Sequence, residues 1–198
     1  VKVVVLDEAD EMLDLGFLPD VEKLMSRVSP DRQTMLFSAT IPGPVVTLAR
    51  RFMVKPTHIR AADPTNTSAT VDNVKQFAYR THAMNKVEVL SRLLQAEGRG
   101  RTIVFVRTKR NAANLEQELA GRGFSVGSLH GDLGQGARER SMRRLREGDI
   151  DVLVATDVAA RGLDVDDVTH VVNYQVPEDD KVYLHRIGST ARAGASGT

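Results

Sequence analysis

Val1-Lys2-Val3-Val4-Val5-Leu6-Asp7-Glu8-Ala9-Asp10 opens the chain and points to its architecture. Val1 to Leu6 is an almost unbroken apolar run rich in valine. Such a run, rather than an alternating one, predicts a strand covered on both faces, as in a parallel sheet between helices. Acidic residues follow at once. In open α/β sheets the ligand crevice lies at the carboxyl ends of the strands, so Asp7, Glu8 and Asp10 stand where chemistry is expected. An Asp there can hold Mg2+ through water, and a neighbouring Glu can orient or deprotonate an attacking water. A plain acidic loop is the competing reading, and four residues by themselves favour it.

Reading outward, strand and helix signals alternate. Pro19 opens a helix with Phe17, Val21, Leu24, Met25 and Val28 on one stripe, and Ser29-Pro30 ends it. Thr34 to Phe37 reads as a strand, residues 45–53 as a helix and 57–60 as a short last strand. Residues 62–73 are small and polar with no apolar period, a linker composition. A second series follows, with strands near 75–80, 102–106, 125–129, 151–155 and 168–173. Helices fit near 84–97, 109–122, 135–147 and 179–187. Repeated strand–helix units predict an α/β fold with a mostly parallel sheet and helices on both faces. The expected organisation is a partial α/β domain over 1–61, a linker over 62–73 and a second α/β domain over 74–198. A buried-type strand at the start lacks neighbours, so the first domain is expected to be truncated at its N-terminus.

Composition narrows the classes. The chain has 198 residues, 41% hydrophobic and 27% charged, with a net charge of +1. Global charge therefore carries no argument for nucleic acid. Cysteine is absent, which excludes disulfides, zinc–thiolate sites and a cysteine nucleophile, and suits a reducing compartment. No apolar run is long enough to span a membrane, and the opening residues lack a signal-peptide pattern. Local charge is uneven. Residues 99–148 carry eleven Lys/Arg against five Asp/Glu, and 149–181 carry two against nine. A basic stretch can face phosphate; two solvated faces of one domain explain it equally well.

Further polar clusters sit just after strands or at helix starts: Ser38-Ala39-Thr40, Val104-Phe105-Val106-Arg107-Thr108, His130-Gly131-Asp132 and Gln135-Gly136-Ala137-Arg138. Thr156-Asp157-Val158-Ala159-Ala160-Arg161-Gly162-Leu163-Asp164 and His185-Arg186-Ile187-Gly188 continue the series. This order of clusters, with Asp7 to Asp10 first, resembles the DEAD-box RNA helicases. Asp7 to Asp10 is similar to motif II, Ser38 to Thr40 to motif III and Val104 to Thr108 to motif IV. Thr156 to Asp164 is similar to motif V and His185 to Arg192 to motif VI. The resemblance covers essentially the whole chain and implies two RecA-like domains, the first partly present, that close over ATP and grip one RNA strand.

The roles that follow are those the resemblance implies. Asp7, with Glu8 beside it, would hold Mg2+ through water, and Glu8 would position the hydrolytic water. Asp10 would link to Ser38 and Thr40, and with Arg161 and His185 these would couple nucleotide to RNA. Asp164 would contact the ATP ribose. Arg192 would reach the γ-phosphate as an arginine finger, a device worth roughly 10³–10⁵ in rate. Gly131, Gln135, Arg138 and Thr156 would line the RNA backbone path. Contacts to sugar and phosphate carry no base information, so single-stranded or short-duplex RNA would bind with little sequence preference. The expected place of work is the cytoplasm. Arg140, Arg143, Arg144 and Arg146 lie outside the motifs and read as a solvated helix face.

The sequence departs from the family pattern in three ways. None of its seven lysines follows a glycine, so it holds no P-loop. Motif VI usually reads His-Arg-Ile-Gly-Arg-Thr-Gly-Arg; here Ser189 stands at the first of two γ-phosphate-facing arginines and Ala191 at a glycine. A serine supplies neither the charge nor the fork of a guanidinium, so slow turnover is expected unless Arg186 substitutes. The chain also stops soon after motif VI, so the last elements of the second domain are expected to be absent. Two other functions compete: an RNA clamp or scaffold of the same fold with impaired turnover, and a related DNA translocase, against which the Asp-Glu-Ala-Asp and Ser-Ala-Thr pair argues.

Overall fold

The computed structural model describes residues 1–60, 73–160, 165, 167–191 and 196–198. The chain divides into two compact units, Val1–Ala61 and Ala62–Thr198.

In the first unit β1 (Val3–Leu6) leads through α1 (Ala9–Asp14) and α2 (Leu18–Arg27) to β2 (Gln33–Leu36), and α3 (Gly43–Phe52) follows. β1 and β2 pair in parallel, from Val3 opposite Gln33 to Leu6 opposite Leu36. Val21, Met25 and Leu48 form the buried core, with Val4, Leu6 and Leu36 against them. The helices therefore cover one face of this sheet. Val3 and Val5 point the other way and are 47% and 54% exposed. The expectation of a strand covered on both faces is corrected: the valine run is apolar on both sides, but no described element of this unit packs on the outer one. Residues 57–60 form no strand either, because extended backbone becomes a strand only beside a ladder partner, and none is present among the described residues.

The second unit is built on four parallel strands in the order β4-β5-β3-β6. These are β3 (Arg101–Val106), β4 (Val126–Leu129), β5 (Val152–Thr156) and β6 (Val168–Asn173). A 3₁₀ turn (Ala83–Asn85) runs into α4 (Lys86–Leu94); then come α5 (Lys109–Gly121), α6 (Gln135–Glu147), α7 (Asp157–Ala160) and α8 (Asp180–Ile187). Strand alternation sorts two cores. Ile103, Phe105, Leu153 and Ala155 pack with Met142 and Leu145 of α6 and Ala159 of α7. Val104, Val106, Val152 and Val154 pack with Leu90 and Leu94 of α4 and Ala112, Leu115 and Leu119 of α5. This is the sheet covered on both faces that the unbroken apolar strands predict.

The strand expected at 75–80 is not formed. Only Val74 bridges, in parallel, to Gly197, and the Lys75 N–H donates to the Gly197 carbonyl. Gly197 and Thr198 in turn lie along β6: the Thr198 N–H donates to the Thr169 carbonyl at 2.9 Å and the Val171 N–H to the Thr198 carbonyl at 2.7 Å. A Cβ on Gly197 would fall 2.4 Å from the Thr190 hydroxyl, so only glycine lets this edge close.

Candidate functional site

At the carboxyl edge of the first sheet the chain turns sharply. Glu8 has φ 50°, a left-handed backbone that costs a non-glycine residue energy. The turn starts α1 directly, and the Ala9 N–H donates to the Phe37 carbonyl at 3.0 Å, joining the ends of β1 and β2. Asp10 is thereby buried at 6% exposure. Its Oδ2 accepts from the Thr40 hydroxyl at 2.6 Å and from the Thr40 N–H at 2.9 Å. The Asp10 N–H donates to Ser38 Oγ at 3.1 Å, and that hydroxyl donates to the Thr40 carbonyl at 2.6 Å. Burial opposes ionisation of Asp10. Hydrogen bonds from the Thr40 hydroxyl and from backbone N–H groups outweigh it and lower the pKa to about 2. Asp10, Ser38 and Thr40, named from sequence, thus form one closed network across the two strand ends.

Asp7 is exposed at the tip of β1, and its Oδ1 accepts from the Glu8 N–H at 2.9 Å. Among the described residues Oδ2 has no hydrogen-bond partner. One such carboxylate oxygen, with Glu8 beside it, suits a hard cation that keeps most of its waters, so Asp7 and Glu8 fit Mg2+. Among the described residues no three acidic or histidine side chains cluster as a direct metal cage.

The second unit gathers its polar residues at the carboxyl ends of β4 and β5. Gly131 follows β4, is exposed, and has no atom within 4 Å of where a Cβ would sit, leaving its backbone approachable. Gln135 begins α6 and is exposed; its side-chain amide donates to Glu139 at 2.9 Å. Arg138, one turn on, is half-buried and donates to the Ala159 carbonyl at 3.2 Å. Thr156 ends β5 and is buried. His185 lies exposed in the last turn of α8, not in the core. Arg161, Asp164 and Arg192 lie outside the described residues.

Arg186 holds a different place from the one left open for it. It is buried, and its Nε and Nη2 donate to the two carboxylate oxygens of Asp157 at 2.6 and 2.8 Å. Nη1 donates to Asn173 Oδ1 at 2.9 Å and to the Gln175 carbonyl at 2.7 Å, and the guanidinium lies over the Phe105 ring, 5.1 Å from its centroid. A guanidinium so saturated is not a spare finger: the notion that Arg186 replaces the arginine absent at Ser189 is corrected. Sequence reasoning missed Asp157, Asn173 and Gln175 as its partners. Asp157 follows Thr156 directly, and a buried arginine requires a carboxylate, so that partner carried a signal. Ser189 sits just past α8, half-buried, its N–H donating to the Arg186 carbonyl at 3.0 Å. Ala191 has φ 54°, where glycine would be unstrained.

Comparison with known proteins agrees with this layout of two α/β units bearing polar clusters at their strand ends. The DEAD/DEAH box helicase family matches residues 1–48, and the helicase conserved C-terminal domain matches 85–194. The chain belongs to the DEAD-box helicase family. It is 48% identical over 197 residues to the DEAD-box ATP-dependent RNA helicase CshA of Bacillus licheniformis, covering 100% of this chain and 40% of that protein. Saccharomyces cerevisiae Dbp5 bound to RNA and ADP BeF3 superposes with a TM-score of 0.85 at 36% identity, over 100% of this chain and 52% of that one. A DEAD box protein of Methanococcus jannaschii matches with a TM-score of 0.60 at 40% identity, again over 100% and 52%. The chain thus spans less than half the length of the curated relative and about half of each solved one.

Proposed function

We propose that the chain is the part of an ATP-dependent RNA helicase that couples ATP binding and hydrolysis to clamping and local unwinding of RNA. The observation that carries this reading is the closed network of Asp10, Ser38 and Thr40, which ties an acidic strand end to a second strand end so that a change at one is felt at the other. Family membership supports it, as does the similarity to the ATP-dependent RNA helicase CshA and to Dbp5 bound to RNA and ADP BeF3. Asp7 and Glu8 hold Mg2+ through water, and Glu8 positions the attacking water. The ion would offset charge on the phosphates. Asp10, Ser38, Thr40, Arg161 and His185 transmit the state of the nucleotide. Asp164 binds the ribose and Arg192 the γ-phosphate. Gly131, Gln135, Arg138 and Thr156 meet the sugar-phosphate backbone of single-stranded or short-duplex RNA, with little sequence preference. Among the described residues no helix is long and apolar enough to cross a membrane, and the cytoplasm is the proposed place of work.

A second reading, an RNA clamp or scaffold with slow turnover, is favoured by one observation: Ser189 supplies no charge, and Arg186 is committed to Asp157. The purified 198-residue chain provides the test. It holds no Gly-Lys-Ser/Thr loop to cradle the triphosphate. It is expected to bind RNA in preference to DNA of the same sequence, since the 2′-OH distinguishes them, and to release no phosphate from ATP. RNA-stimulated phosphate release above a no-protein control would refute the inactivity. Equal binding of RNA and DNA would remove RNA as the substrate.

A further inference from the structure

Helix α6 carries five arginines and no lysine between Arg138 and Arg146. Arg140, Arg143 and Arg144 are exposed on its outer side, turned away from Met142 and Leu145, which enter the core. None of the three has a hydrogen-bond or ion-pair partner among the described residues. That is unexpected for a merely solvated face, because Glu139 and Glu147 stand four residues before and after Arg143, the spacing that pairs charges on a helix. Glu139 instead accepts from Gln135. Arg99, Arg107, Lys109 and Arg122 on neighbouring elements all have carboxylate partners. Three unneutralised arginines therefore share the outer side of this one helix, and arginine is the side chain whose planar fork best fits a phosphate.

We infer that Arg140, Arg143 and Arg144 form an auxiliary phosphate-binding row that takes RNA leaving the Gly131–Gln135–Arg138 end of the same helix. The inference rests on the RNA-binding reading above and extends it to a surface which that reading leaves as bare solvent. At 1.5 Å per residue, Gln135 to Arg144 spans about 13 Å, room for roughly three phosphates beyond the helix start. Side chains of this kind add affinity and salt dependence without base preference.

The test compares the 198-residue chain with its Arg140→Gln/Arg143→Gln/Arg144→Gln variant. Anisotropy is measured on labelled oligouridylates of 8 and 30 nucleotides across 50–200 mM salt. Glutamine retains helix propensity, and an unchanged melting temperature certifies the fold. At ~0.7 per phosphate on a single strand, losing about three contacts lowers the salt slope by about 2 for the 30-mer. Its binding at 50 mM salt weakens about tenfold, while the 8-mer changes less than twofold. Unchanged binding of both lengths, with the parent chain binding both, would overturn this inference alone. Failure of the parent chain to bind either RNA would overturn the function proposed above and this row with it. Equal loss for both lengths would place the arginines on the primary path and refute an auxiliary row. Equal displacement of the 30-mer by polyglutamate and by unlabelled RNA, at matched charge, would make the row a general polyanion surface and overturn RNA as its occupant.

Discussion

At the scale of single residues, two positions have measurable consequences. Asp10 is held at about 2, below the ordinary carboxylate value. A group whose folded value is depressed contributes stability above its unfolded value near 4, and loses it as pH falls through about 2. The contribution is on the order of 2 kcal/mol. Thr40→Val removes the hydroxyl that donates to Asp10 Oδ2. The Asp10 carboxyl, followed by carbon-detected NMR, is expected to titrate at least one unit higher in the variant. The first unit should also lose about 1–2 kcal/mol at neutral pH. An unmoved titration midpoint would show that the backbone N–H alone sets the value. Ala191 offers the opposite case. Its φ of 54° strains an alanine, so Ala191→Gly is expected to raise stability by about 0.5–1 kcal/mol despite the added chain entropy of glycine. A lower melting temperature would mean that the buried methyl outweighs the strain.

At the scale of elements, the Arg186–Asp157 pair ties α8 to the end of β5, and Asn173 and Gln175 bring in the end of β6. Removing one partner of a buried pair leaves the other uncompensated, so Arg186→Ala is expected to cost about 3 kcal/mol in denaturant unfolding followed by circular dichroism. Arg186→Lys should recover little, because an ammonium cannot make the two parallel bonds to Asp157. Full recovery by lysine would reduce the pair to simple charge. The central strands of the second unit were legible in the sequence because each is an apolar run with a ladder neighbour on both sides. Residues 57–60 and 76–80 have strand composition without such a neighbour among the described residues, and composition cannot reveal who lies alongside. α1 and α7, of six and four residues, were not legible because they are too short to show a helical period. The carboxylate network of Asp10 was readable as a motif. Of the Arg186 cluster only Asp157 carried a signal, since Asn173 and Gln175 lie on another part of the chain that only the folded sheet brings alongside.

At the scale of the whole chain the two units differ in how they bury their sheets. The first has one helical layer over two strands, with Val3 and Val5 left open on the other side. The second has apolar cores on both faces of four strands. Small domains bury a smaller share of their surface and are correspondingly marginal, and a one-sided sheet lowers that share further. The chain is therefore expected to unfold in two steps, the first unit before the second. Limited proteolysis with mass spectrometry should find residues 74–198 outlasting residues 1–60. A matched pair of substitutions separates the cause from mere size. Val3→Thr and Val5→Thr act on the open face, where an added hydroxyl meets water, and should shift the first transition by less than about 0.5 kcal/mol. Leu48→Ala empties a site buried between the helices and the sheet and should lower it by about 2–4 kcal/mol. If the two threonine variants destabilise as strongly as Leu48→Ala, the outer face of β1 is covered in solution and the one-sided account of this unit's weakness is wrong.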